Sequence, residues 1–205
     1  MILKKLLSFG SLCLLSAAVS AHADTIFTLT SDACSGGCGT APFGTITLSQ
    51  GASGVTVTEV LKAGETYAVT GAGKSLEFQL SGAFTISGLT AGFLNTGAAT
   101  ASTFGSFNNS VECGPTICAN GGKPTNYGGT LTFLVAGATI ADFIANGHPT
   151  YFTSDILGTS GNTGNVGANC AGVVTTSAVP EPSTLVFLGT GIAGAAGAIR
   201  RRLKA

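Results

Sequence analysis

Thr45-Ile46-Thr47-Leu48-Ser49-Gln50-Gly51-Ala52-Ser53-Gly54-Val55-Thr56-Val57-Thr58-Glu59-Val60 decides the fold. Polar and apolar residues alternate from Thr45 to Ser49 and again from Val55. Period-two alternation buries one face of a strand and wets the other. Gly51-Ala52-Ser53-Gly54 between the runs is a turn signal, because glycine adopts the positive φ that tight turns demand. The stretch predicts two half-buried strands separated by a turn.

The same reading extends outward. Residues 25–30 open with β-branched and apolar residues, and residues 66–70 form a weaker strand. Residues 75–80 and 84–87 read as successive strands joined by a tight turn at Ser81-Gly82. Residues 102–107 supply another strand, with Phe104 and Phe107 as candidate core residues. Residues 130–135 form a strong, central strand. Residues 140–144 fit either a strand or a single helical turn. Residues 150–156 read as a strand, and residues 165–176 supply the last one through Val173 and Val174. Turn signals at Ser35-Gly36-Gly37, Asn120-Gly121-Gly122, Gly128-Gly129 and Asn146-Gly147 separate these runs. Many short strands at this spacing predict an all-β domain, an antiparallel β-sandwich or jelly-roll-like sheet pair, over residues 24–174. No long amphipathic helix pattern supports an α/β fold, and no fixed period supports a β-helix.

The two ends differ from this body. Residues 1–23 read as a secretory signal peptide: Lys4 and Lys5, an apolar stretch to Val19, and the A-x-A site Ala21-His22-Ala23. Cleavage after Ala23 makes Asp24 the first mature residue, and implies the Sec translocon and signal peptidase as partners. Residues 175–183 form a linker containing Pro180-Glu181-Pro182, whose X-Pro geometry keeps the chain extended. Residues 184–199 are apolar and short for a membrane-spanning helix. Arg200, Arg201, Arg202 and Lys204 in the tail 200–205 should stay cytoplasmic and orient that helix.

The formal net charge is zero for the whole chain, but it is segregated. The ends hold most of the cations. Within the body, Asp24, Asp32, Glu59, Glu65, Glu77, Glu112, Asp142 and Asp155 face only Lys62, Lys74 and Lys123. An acidic body without a basic patch has nothing to neutralise phosphates, so nucleic acid is excluded as a partner.

Pro180-Glu181-Pro182, the apolar run and the terminal arginines, in that order behind a signal peptide, resemble the PEP-CTERM sorting signal. The resemblance covers only the last twenty-six or so residues. It implies a Gram-negative cell that secretes exopolysaccharide, and an exosortase that recognises Glu181 between its prolines and cuts nearby. The chain would then be a membrane-anchored precursor, released or transferred to the cell surface or exterior after processing.

Removal of Cys13 with the signal peptide leaves Cys34, Cys38, Cys113, Cys118 and Cys170. An oxidising destination favours disulfides. Local bridges Cys34–Cys38 and Cys113–Cys118 are expected, with Cys170 free or paired between chains, although Cys170 could displace a partner in either pair. The spacings do not fit a zinc ribbon. His148, in the turn Asn146-Gly147-His148-Pro149, would need Asp142 or Asp155 as an orienting acid to serve as a base. Glu59, Glu65, Glu77 and Glu112 are glycosidase candidates by type alone. Glu59 and Glu77 are assigned to the wet faces of their strands. Asp24, Asp32 and Asp155 are calcium candidates at sheet edges, without a D-x-D-x-D-G loop. Gly71-Ala72-Gly73-Lys74-Ser75 lacks phosphate-loop spacing and reads as a hairpin turn.

These observations point to a non-enzymatic exported surface or matrix protein associated with exopolysaccharide, with no catalytic residue, metal or cofactor. Two other classes compete. A carbohydrate-binding module needs exposed rings, and the chain has no Trp and only Tyr67, Tyr127 and Tyr151 as tyrosines. A secreted hydrolase needs two carboxyls about 5 to 10 Å apart in a cleft.

Overall fold

The computed structural model describes residues 24–71, 73–118, 127–169, 174–175 and Gly191. The expected signal peptide with Ala23, the Pro-Glu-Pro motif at Pro180, Glu181 and Pro182, and the cluster Arg200–Arg202 lie outside the described residues. So do Cys170 and all of residues 184–199 except Gly191. Among the described residues, no helix is long and apolar enough to cross a membrane.

The opening stretch forms β3 (Gly44–Gly51) and β4 (Gly54–Leu61), paired antiparallel from Gly44↔Leu61 to Gly51↔Gly54. Alternation holds throughout: Ile46, Leu48, Val55 and Val57 are buried, while Thr45, Thr47, Thr56 and Thr58 are half-buried on the other face. β1 (Thr25–Leu29) adds to β3, and β12 (Leu131–Ala136) to β4. β7 (Thr85–Ser87) and the two-residue β16 (Val174–Thr175) complete the first sheet, in the order β16-β1-β3-β4-β12-β7. The expected last strand is in fact two: β15 (Thr163–Asn169), in the second sheet, and β16.

The second sheet runs β2 (Ser31–Asp32), β15, β14 (Thr150–Leu157), β6 (Leu76–Leu80), β11 (Asn109–Cys113), β8 (Phe93–Asn95). β5 (Thr66–Tyr67) also pairs with β14, and β13 (Phe143–Ile144) with β6. Residues 140–144 are both things the sequence allowed: a 3-10 turn at Ile140–Asp142, then β13. Every pairing is antiparallel. The inner faces of the two sheets share one hydrophobic core. Phe78 of the second sheet stacks on Phe133 of the first at 5.5 Å, and Phe27 meets Phe152 edge-on at 5.0 Å.

Three expectations fail here. Residues 75–80 and 84–87 are not a hairpin: β6 pairs with β14, β11 and β13, whereas β7 crosses to the first sheet and pairs with β12. Neighbouring alternating strands look alike in sequence whether they share a sheet or not. Of residues 102–107, only β10 (Gly105–Phe107) is a strand. It pairs with β9 (Ala99–Ala101) as a separate two-stranded hairpin. Phe104 and Phe107 are buried as expected, but in a small cluster with Ala101, packed by Ala33, apart from the main core. Glu59 and Glu77 are not on wet faces, since both are fully buried. Glu59 is in phase with Val55 and Val57, so period two itself places it inside.

Candidate functional site

The two expected bridges are present: Cys34–Cys38 and Cys113–Cys118, with Cα atoms 5.4 and 5.7 Å apart. Asp32, at the end of β2, clasps the first loop. Its Oδ1 accepts the Cys34 N–H and its Oδ2 the Cys38 N–H, both at 2.9 Å. The ligand atoms of Asp32, Cys34 and Cys38 lie within 4.8 Å of one another. Both sulfurs are consumed by the bridge, however, so no thiolate remains to hold a soft metal.

The tyrosines do not build a sugar platform. Tyr67 is buried and stacks on Tyr127 at 6.1 Å, and Tyr151 packs on Phe27 at 4.9 Å. His148 is exposed in its turn, with its N–H donated to Asn146 Oδ1. Asp142 accepts hydrogen bonds from Ser81 and Thr139, and Asp155 from Thr70.

The carboxyls are more informative. Glu59 projects from β4 into the core and accepts a hydrogen bond from Ser154 Oγ on β14. Burial pushes its pKa up to about 8, against the Ser154 hydrogen bond and the nearby Tyr67 hydroxyl, which favour the charged form. Glu59 is therefore held as the neutral acid at pH 7. Glu65, preceding β5, is also buried and is raised to about 7, mainly by desolvation.

A second group occupies the outer face of the second sheet. β15 lines one edge of β14 along its length, so β5 and β6 lie end to end along the other. Residues 68–75 leave that lane and rejoin it. The Ala68 N–H donates to Asp155 O at 2.9 Å, and the Asp155 N–H donates to Lys74 O at 3.0 Å. The supposed hairpin at residues 71–75 is thus a detour within one strand lane, based on Asp155. Asp155 is not at a sheet edge; it is buried in β14, between β15 and that lane.

The detour folds over a row of polar side chains. Glu77 lies opposite Thr153 on one side and Ser110 on the other, and Asp155 lies opposite Asn165. Glu77, Thr153, Asp155 and Ser110 are fully buried, and Asn165 nearly so. Asp155 Oδ2 accepts the Thr70 N–H at 3.1 Å and the Thr70 hydroxyl at 2.6 Å. Glu77 Oε1 accepts the Lys74 N–H at 2.8 Å. The remaining oxygens, Asp155 Oδ1 and Glu77 Oε2, have no hydrogen-bond partner, and neither has Thr153 Oγ1. Burial raises Glu77 to about 7, helped by the neighbouring Asp155 and opposed by the backbone N–H groups of Lys74 and of Ala101 on β9; burial raises Asp155 to about 6 against the hydrogen bonds from Thr70.

Two glycines let the cover come close. A Cβ on Gly73 would lie 2.5 Å from Asn165 Oδ1 and 3.0 Å from Glu77 Oε1. A Cβ on Gly167 would lie 2.6 Å from the Phe104 ring, so the β9–β10 turn rests directly on β15. At the rim, Lys74 Nζ meets Glu112 Oε2 at 2.9 Å with both side chains partly exposed. Sequence reasoning missed this group because Glu77 sits on the face that alternation marks as outer. That face is covered by a short hairpin, and alternation does not report such a cover.

Among known families, the PEP-CTERM protein-sorting motif matches residues 178–202. The chain carries this sorting signal at its C-terminus, as an exported substrate of an exosortase. The match does not reach the β-rich body. No curated protein and no solved structure matches the chain.

Proposed function

We propose that the chain is a non-enzymatic surface or extracellular-matrix protein of a Gram-negative cell. It is exported behind its signal peptide, held briefly by residues 184–199, and processed near Pro180-Glu181-Pro182. Its two sheets form a β-sandwich in jelly-roll style, and that body associates with exopolysaccharide. The sorting motif at residues 178–202 carries this reading.

The outer face of the first sheet supports the association with polymer. Thr47, Thr58 and Thr132 lie side by side across β3, β4 and β12. Thr28 and Thr45 pair on one side of this row, and Ser49 and Thr56 on the other. Among the described residues of β1, β3, β4, β12 and β7, no charged side chain interrupts the tiling: the other outward positions include Ile26, Val60, Leu134, Ala136, Thr85 and Ser87. Strands spaced about 4.8 Å apart present hydroxyls and methyls in a flat, regular array. Such a face suits a neutral, hydroxyl-rich polymer without requiring stacked rings, so a carbohydrate-binding role is the second reading. A hydrolase is less favoured: Glu77 and Asp155 are fully covered and face no open cleft.

Intact-mass analysis of the exported protein, with and without reduction, tests the proposal. The expected species begins at Asp24, ends near Pro180–Pro182 and contains two bridges. A mass that retains residues 185–205 on nearly all molecules would overturn the processing step.

A further inference from the structure

We propose that a calcium ion binds beneath the β9–β10 hairpin, held by the carboxyls of Glu77 and Asp155 and the hydroxyl of Thr153. Three buried oxygens on one sheet face lack partners there: Glu77 Oε2, Asp155 Oδ1 and Thr153 Oγ1. Buried polar atoms are nearly always paired, so three together ask for a common partner. Thr153 is the independent witness, since it is neutral and gains nothing from a shared proton between acids. It sits opposite Glu77 on the neighbouring strand and two residues before Asp155 on the same strand face. It therefore adjoins both carboxyls.

The free oxygens are oriented. Each carboxyl is fixed by its other oxygen, Glu77 through the Lys74 N–H and Asp155 through Thr70. Asn165, opposite Asp155 on β15, closes the far side of the group. The donor set is all oxygen, without thiolate or imidazole, which selects a hard cation. An irregular, buried set of carboxylate and hydroxyl oxygens suits calcium. Magnesium demands near-octahedral geometry and keeps its waters. The site was hidden from the sequence because its ligands come from β6 and β14, not from one calcium-binding loop.

The test uses the full exported protein after EDTA treatment, with thermal unfolding followed during a calcium titration. Saturation at about a hundredfold over Kd should raise Tm by about 5–10 °C. Magnesium at the same concentration should do much less. Glu77→Gln and Asp155→Asn should each abolish the calcium response. Should either fail to fold, Thr153→Val, which keeps shape and charge, should lower calcium affinity several-fold by titration calorimetry. A Tm indifferent to calcium up to about 10 mM, beyond the range of extracellular calcium modules, overturns the proposal. So does a response that survives in Glu77→Gln and Asp155→Asn. A Glu77→Gln protein more stable than wild type with and without calcium also overturns it, and assigns the pair to a retained proton.

Discussion

Ser154 Oγ donates a hydrogen bond to Glu59 Oε1 across the hydrophobic core, joining β14 of one sheet to β4 of the other. Both residues are fully buried. Glu59 and Ser154 are thus a polar tie within an apolar layer, and burial there keeps the proton on Glu59 against the pull of the Ser154 hydroxyl.

That proton gives stability a direction in pH. Glu59 titrates near 4.5 when unfolded and near 8 when folded. Below the lower value both states are protonated and the contribution is complete. Between the two values unfolding releases a proton, so stability declines as pH rises, and it is lost through the folded value. Glu65, raised to about 7, acts the same way. Tm should fall by several degrees between about pH 5 and about pH 9, and Glu59→Gln should flatten the decline. A wild-type Tm that climbs over that range would contradict this account.

Phe78 is the hinge of the ring network, touching Phe133, Phe143 and Phe152. Phe78→Ala should cost about 3–5 kcal/mol, through lost transfer energy and the cavity left behind. Urea unfolding measures it. A loss under about 1 kcal/mol would mean the sheets collapse freely onto the gap.

Asp32→Ala should open the Cys34–Cys38 loop without breaking the bridge. It removes the acceptor of two backbone N–H groups, one exposed and one part-buried, at a cost of about 1 kcal/mol. Replacing both cysteines with serine should cost about 2 kcal/mol, because the loop closed is short. Hydrogen exchange at the Cys34 and Cys38 amides separates the effects: it should accelerate in Asp32→Ala even under oxidising conditions.

Thr58→Lys places a charge in the middle of the threonine row without touching the core. Tm should stay within about a degree, as for an ordinary surface change. Co-sedimentation with the exopolysaccharide of the native cell should drop. Unchanged co-sedimentation would remove the first sheet from the polymer contact.

Glu181→Ala should leave the precursor uncut, visible as an intact mass that includes residues 185–205. Normal trimming in this variant would separate the Pro-Glu-Pro motif from recognition.

The sequence disclosed what lies within one strand and little of what lies between strands. β3, β4 and β12 follow from alternation, because their outer face meets solvent. The two bridges follow from close spacing in an oxidising destination. Sheet membership of β6 and β7 does not follow, since a tight link can turn back in one sheet or step to the other. The burial of Glu59 is legible in the sequence, since its phase matches Val55 and Val57; the expectation of a wet face mistakes that phase. Glu77 was not legible, because its cover comes from β9 and β10, whose three residues each carry too little pattern to place them.

β16 pairs with β1, Thr175 opposite Thr25. The body therefore begins and ends on the same sheet edge. Asp24, the expected first mature residue, and Thr175 therefore lie at adjacent strand ends. Pro180 lies five positions beyond Thr175, a reach of at most about 18 Å. In the proposed precursor, anchored by its tail, that shared edge is the part of the body tethered nearest the membrane. Both proposed cuts would then fall on one side of the body, leaving the far edge of the sheets untouched by processing.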